Sequence, residues 1–179
     1  MNTKAGMKEM AVPLEHYNDL KELDCFTETM AYFPGTINIS GKGHPERYNG
    51  GYVTTEFPGP TGVEPILGRP FSAAPFSREG PRELMISHKA WQNQFLGNPD
   101  IIGKVVRANG IDHEIIAVLP EGFHFVNQVN VWMPVNTTPQ DDDKQHISQV
   151  FVAARVSPDY SDDDIQASLD KTFAEWTNI

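Results

Sequence analysis

The first periodic segment of the chain begins at Pro13. Leu14, Tyr17, Leu20 and Leu23 recur at helical spacing while Glu15, Asp19, Lys21, Glu22 and Asp24 fall mostly elsewhere, which predicts an amphipathic helix over about 14–25. The pattern then changes to alternation. Thr36 to Ser40 and Arg47 to Phe57 read as two strands around the turn Gly41-Lys42-Gly43-His44-Pro45. From Pro58 to Pro81, proline and glycine are too dense for long regular elements, so a connecting stretch with a short strand near Ile66 and Leu67 is expected, and with it a lobe boundary. Residues 1–12 read as a poorly ordered lead-in.

Leu84, Met85 and Ile86 form a short apolar run. Ser87 is placed to cap a helix that carries Trp91, Phe95 and Leu96 and stops at Gly97. The clearest local signal follows: two β-rich runs, 104–108 and 111–118, flank Asn109-Gly110, a dipeptide suited to the positive φ angles of a type I′ turn. A two-residue loop there sets Arg107 opposite Asp112 and Val106 opposite His113. Phe123, Phe125 and the alternation from Val129 to Val135 predict further strands, and 137–146 a polar loop. Val150 to Val156 is nearly continuous in apolar residues, as a central strand would be. Ser161 with Asp164 three residues on resembles a capping box for a helix whose stripe is Ile165, Leu169, Phe173 and Trp176.

Composition narrows the function classes. With 179 residues, 39% of them hydrophobic, the chain is long enough for one folded domain or two small lobes. A formal net charge of −10 without a Lys/Arg cluster excludes phosphate-backbone binding, so no nucleic-acid partner is expected. Asp141 to Asp143 and Asp162 to Asp164 read as an acidic turn and a helix start ahead of a cation site. The single cysteine, Cys25, forms no intrachain disulfide and reads as inert. His16, His44, His88, His113, His124 and His146 lack metal-ligand spacing, and Ser87-His88 lacks a nucleophile elbow. Gly41-Lys42-Gly43 has no following helix and reads as a turn, not a phosphate cradle. No catalytic residue, metal or cofactor is therefore expected. The chain contains no run of about eighteen apolar residues and no signal-peptide pattern, so targeting and anchoring segments are expected outside it, or the protein is cytosolic.

Two stretches carry a family resemblance. Gly62-Val63-Glu64-Pro65-Ile66-Leu67-Gly68-Arg69-Pro70-Phe71 resembles the phrase LGV-x-P-x-LGR-x-F of the MacB-like periplasmic core domain of MacB/FtsX-type ABC-transporter permeases. Trp91, then Phe95, Gly97, Pro99 and Gly103, then Asn109-Gly110, Pro120, Gly122 and Phe123, and finally Trp132 and Pro134 follow the same family's order of glycines, prolines and aromatics. The chain departs from the pattern at Phe57-Pro58-Gly59-Pro60, where the family places a short helix, and at Ala117, where glycine is common.

The resemblance implies an α+β, two-lobe domain. A porter-like α/β lobe is built from 13–65 and 147–179, and an inserted, β-rich, sabre-like lobe spans 66–146. It also implies a non-catalytic domain outside the cytoplasmic membrane that couples ATP-driven movement to transport or efflux. Its partners would be the transmembrane part of the same permease, the cytoplasmic ATP-binding subunit indirectly, and a periplasmic protein or substrate. The other reading of the residues is a free-standing carbohydrate- or peptide-binding module using exposed aromatics.

Two packing expectations follow. Trp91, Phe95 and Trp132 should share one cluster. The apolar strand Val150 to Val156 is a poor choice for an open sheet edge, so the domain either self-associates there or covers that edge with residues 1–12.

Overall fold

The computed structural model describes residues 7–40, 45–72, 82–125, 128–135 and 149–177. In chain order these form β1 (Met7–Pro13), α1 (Tyr17–Lys21), β2 (Phe26–Ser40), β3 (Glu46–Val53), β4 (Leu67–Gly68), β5 (Arg82–Ile86), α2 (His88–Phe95), β6 (Val105–Ala108), β7 (Ile111–Val118), β8 (Val131–Pro134), β9 (Gln149–Val156) and α3 (Asp162–Thr177). The strands join one mixed sheet in the order β1-β9-β2-β3-β8-β5-β7-β4. Strands from the two chain ends occupy one side and strands from the middle occupy the other, meeting at the parallel pair β3 and β8. β6 pairs with both β7 and the far end of β2, so β2, β3, β8, β5, β7 and β6 close into a ring.

Five expectations need correction. Met7–Pro13, read as lead-in, is a strand antiparallel to β9 along seven residue pairs, and it covers the edge that Val150 to Val156 would otherwise expose. Pro13 is tolerated at its end because this is the outermost strand. The first helix is short: a 3-10 turn over Leu14–His16 leads into α1, which ends at Lys21. It ends there because the chain must turn Cys25 into the core, where its carbonyl accepts the Ser157 amide at 2.9 Å before β2 begins. Phe123 and Phe125 lie in irregular backbone, their rings folded onto the sheet instead of alternating along a strand. Leu96 is 88% exposed because it sits at the helix C-cap with φ 54°, rotated off the apolar stripe. The turn 41–44 and the loop 137–146 lie outside the described residues.

The fifth correction concerns the aromatics. Side chains alternate across a strand, so at the β5–β8 pairing Ile86 and Val131 face one side of the sheet while Met85 and Trp132 face the other. α2 packs Ala90, Trp91 and Phe95 on the Ile86 side. Trp91 and Phe95 therefore belong to a different core from Trp132, which lies among Phe57, Phe123 and Phe125. A third core, with Tyr17, Leu20, Val152, Ile165 and Leu169, fixes α1 and α3 over β9 and β2.

Local chemistry is followed closely at the two best-marked turns. Ser161 Oγ accepts the Asp164 amide at 3.2 Å while the Asp164 carboxylate accepts the Ser161 amide at 3.0 Å, the reciprocal capping expected of that pair. Asn109 and Gly110 have φ 50° and 83°, and the strands pair Arg107 with Asp112 and Val106 with His113 as the turn type requires. Asn109 also closes the ring: its amide reaches Asn38 O at 2.8 Å, its Oδ1 accepts the Asn38 amide at 2.9 Å, and its Nδ2 donates to Tyr52 Oη at 2.9 Å. A Cβ at Gly110 would meet nothing within 4 Å, so Gly110→Val tests backbone strain alone. We expect a loss of about 1–3 kcal/mol in urea melts, and an unchanged midpoint would refute the turn assignment.

Candidate functional site

The structure places the residues of the family pattern mainly at turns, strand ends and packed positions. Gly62, Gly68, Gly97, Gly103, Gly110 and Gly122 all have positive φ, and they are the positive-φ glycines among the described residues. Pro65 precedes β4, Pro99 opens a 3-10 turn capped by Asn98, and Pro120 O accepts the Phe123 amide at 3.2 Å. Pro134 ends β8, opposite Val53. Trp91 is half-buried and donates Nε1–H to Asn98 O at 2.8 Å, which ties α2 to the turn that follows it. Phe95 packs beside it.

Arg69 is the charged member of the pattern. Its Nη2 donates to Glu83 Oε1 at 2.7 Å, and the Ser72 amide donates to Glu83 Oε2 at 2.8 Å, so one carboxylate ties the chain after β4 to β5. Burial alone would push the Glu83 carboxyl up. The hydrogen bonds from Arg69 and Ser72, with the Arg69 charge, outweigh it and hold the group below the usual carboxylate range. The folded value lies below the unfolded one, so the stabilisation is complete above about pH 4.5 and is lost as pH falls through the folded value. Glu83→Gln should therefore flatten the acid limb of a plot of Tm against pH. Superimposable limbs for the two proteins would remove this role.

A second polar constellation lies toward the other side of the sheet. α1 sets Lys21 beside Glu56, with which it forms an ion pair, and Tyr17 Oη sits between Thr29 O at 3.2 Å and Thr54 Oγ1 at 3.4 Å. Burial drives the Tyr17 phenol well above its ordinary range, so it stays a hydrogen-bonding group and not a base. Burial also pushes Glu56 up, but hydrogen bonds from Lys21 and Thr54 and the Lys21 charge bring it below its usual value. Beyond it, Arg155 Nε donates to Glu28 Oε2 at 3.2 Å and Nη2 to Pro60 O at 3.1 Å. Gly62 lies against the Arg155 guanidinium, since a Cβ there would come 2.9 Å from Arg155 Nη2.

Of these groups Lys21, Glu28, Thr29, Glu56 and Pro60, together with Phe26 and Thr27, line a cavity of about 340 Å³. Sequence reasoning did not find it. Lys21 and Glu56 are 35 residues apart and Arg155 and Glu28 are 127 apart, so no local spacing signals the grouping. Only Gly62, through the family phrase, points near it. Nothing in the constellation pairs a nucleophile with a base, and among the described residues no three His, Cys, Asp or Glu side chains group as metal ligands. The acidic run 162–164 opens α3, where carboxylates complement the helix N-terminus. The run 141–143 lies outside the described residues. No described helix is long and apolar enough to cross a membrane.

The single mixed sheet with its helices thus defines an α+β domain. Known proteins share this architecture. The periplasmic region of MacB from Actinobacillus actinomycetemcomitans superposes with a TM-score of 0.73 at 13% identity, covering 92% of this chain and 74% of that one. The extracellular domain of the noncanonic ABC-type transporter YknZ from Gram-positive bacteria gives 0.65 at 21% identity, covering 88% and 78%. A domain of a putative permease protein from Porphyromonas gingivalis gives 0.61 at 17% identity, covering 93% and 75%. No curated protein matches the sequence. The profile of the MacB-like periplasmic core domain matches residues 3–172, and the chain belongs to that family. It is an extracytoplasmic domain of a MacB-like ABC-transporter permease.

Proposed function

We propose that this domain is non-catalytic and moves as one rigid body, passing ATP-driven displacement of its permease to a protein or substrate outside the cytoplasmic membrane. The observation that carries this reading is the seam between β3 and β8. There the strands of the chain ends and those of the middle share backbone hydrogen bonds, and Trp132 stacks on Phe57 at 5.6 Å across it. A displacement of one part is transmitted to the other because packed interiors deform little. We assign 13–65 and 147–179 to the porter-like part, extended by β1, and 66–146 to the inserted sabre-like part. The partners are the transmembrane part of the same permease and, through it, the cytoplasmic ATP-binding subunit. Family membership favours this reading over a free-standing binding module.

The test uses spin labels in the full-length permease, one at exposed Glu121 and one at exposed Asp170. Between nucleotide-free and ATP-analogue-bound states, the distance between the two labels should stay constant while both shift relative to labelled lipid. A changing inter-label distance would overturn rigid-body movement. No shift against lipid would overturn the coupling role.

A further inference from the structure

We propose that the outer edge of β1 is the docking site of a strand formed by the polypeptide that follows Ile179 in the permease, running antiparallel to β1. Among the described residues β1 is the last strand on its side of the sheet, paired along Met7–Pro13 with β9 and with no strand beyond it. An edge of this kind presents a row of backbone donors and acceptors. The handedness of the chain says which segment fills it. β1 and β2 both run antiparallel to β9 and are therefore parallel to each other, with α1 crossing between them and β9 inserted. Such crossovers are right-handed in about 98% of cases. α3 lies on the same face of the sheet as α1, since Tyr17, Leu20, Ile165 and Leu169 share one core with Val150 and Val152. β9 runs opposite to β1, so a right-handed crossover that leaves β9 through α3 steps the opposite way, toward β1 and not toward β2. The next strand parallel to β9 on that side lies on the open edge of β1.

The end of α3 is already held where that strand must start. Trp176 stacks on His16 with ring centroids 4.2 Å apart and donates its indole N–H to Asp19 Oδ2 at 2.8 Å, so the last turn of α3 sits just past Pro13, the end of β1. α3 has 16 residues and spans about 24 Å. The seven residues of β1 span about the same length, roughly 23 Å. The helix therefore carries the chain from the Met7 end of the sheet back to the Pro13 end, and a segment leaving it there can run along β1 from Pro13 to Met7. The added strand would finish beside Met7, where β1 begins. The connections into and out of the domain then lie side by side at one end of one hydrogen-bonded ladder, and a displacement of the permease loads both strands together and passes through β1 to β9. This deepens the coupling role proposed above and rests on it for the continuation of the chain into the permease. Its failure would leave the spin-label distances untouched.

Amide hydrogen exchange across β1, read by mass spectrometry on the nucleotide-free full-length permease and on the 179-residue chain, tests this. The β1 amides that face away from β9, about half of them, should exchange about tenfold more slowly in the permease than in the chain. Replacing the stretch after Ile179 in the permease by a glycine-serine linker of equal length should restore fast exchange in β1. The amides of β9, enclosed between β1 and β2, should stay protected in that variant and so report an intact fold. Equal exchange of β1 in the permease and the chain would overturn the proposal. Slowing that survives the linker would show that another part of the permease covers the edge, and slowing in the chain that grows with its concentration would show that a second copy does; either result would overturn it.

Discussion

Trp132→Ala is expected to destabilise the domain by about 3–5 kcal/mol, the range for removing a fully buried tryptophan. The side chain is 1% exposed and lies against Phe57 at 5.6 Å and Phe123 at 5.8 Å. Its Cδ1 fills the space above Gly51, where a Cβ would come within 2.9 Å, and Gly51 has no side chain that could fill the vacated volume. The pairing of Gly51 with Trp132 is also the seam between the two groups of strands. The expected fall in Tm is roughly 6–20 °C, using the usual conversion for a domain of this size. Trp91→Ala provides the contrast, because Trp91 is only half-buried and its indole N–H serves a single carbonyl. Calorimetry on both variants decides the matter: an equal or larger loss for Trp91 would show that the aromatic cluster around Trp132 is not the main support of the seam.

Gly68→Ala is the second large effect. A Cβ at Gly68 would stand 1.9 Å from Ile116 O and 2.9 Å from Ala117 Cα, both backbone atoms that no rotamer change can move. The residue also has φ 87°, a region that costs a side-chain-bearing residue about 1–2 kcal/mol by itself. Gly110→Ala isolates that backbone cost, since Gly110 has φ 83° and open space around its missing Cβ. We expect about 1–2 kcal/mol for Gly110→Ala and roughly 3–5 kcal/mol for Gly68→Ala, which belongs to the destabilising tail of single substitutions. The difference measures the cost of parting β4 from β7. If urea melts give the same loss for both, the close approach of Gly68 to Ile116 is wrong.

The features readable in the sequence were those whose signal is local. Asn109-Gly110 set a turn and therefore a register, Ser161 and Asp164 set a helix start, and Val150 to Val156 read as a strand buried on both edges. The glycines of the family pattern were readable as positions but not as causes. That Gly68 is pressed against Ile116 O, and Gly62 against Arg155, appears only when distant strands are assembled. The candidate groove was illegible for the same reason.

The sequence by itself determined the class of the domain, its family, the central hairpin and the closing helix, because turn chemistry, capping and hydrophobic period act over a few residues. The tertiary structure alone decided three things. It recruited Met7–Pro13 as an edge strand, since β9 offers hydrogen-bonding groups that pattern cannot display. It placed Trp91 and Trp132 in opposite cores, because a strand alternates its faces while sequence proximity to an apolar stripe does not record which face is used. It brought Lys21 to Glu56 and Glu28 to Arg155, pairs whose attraction is felt only once the sheet has closed the distance between them.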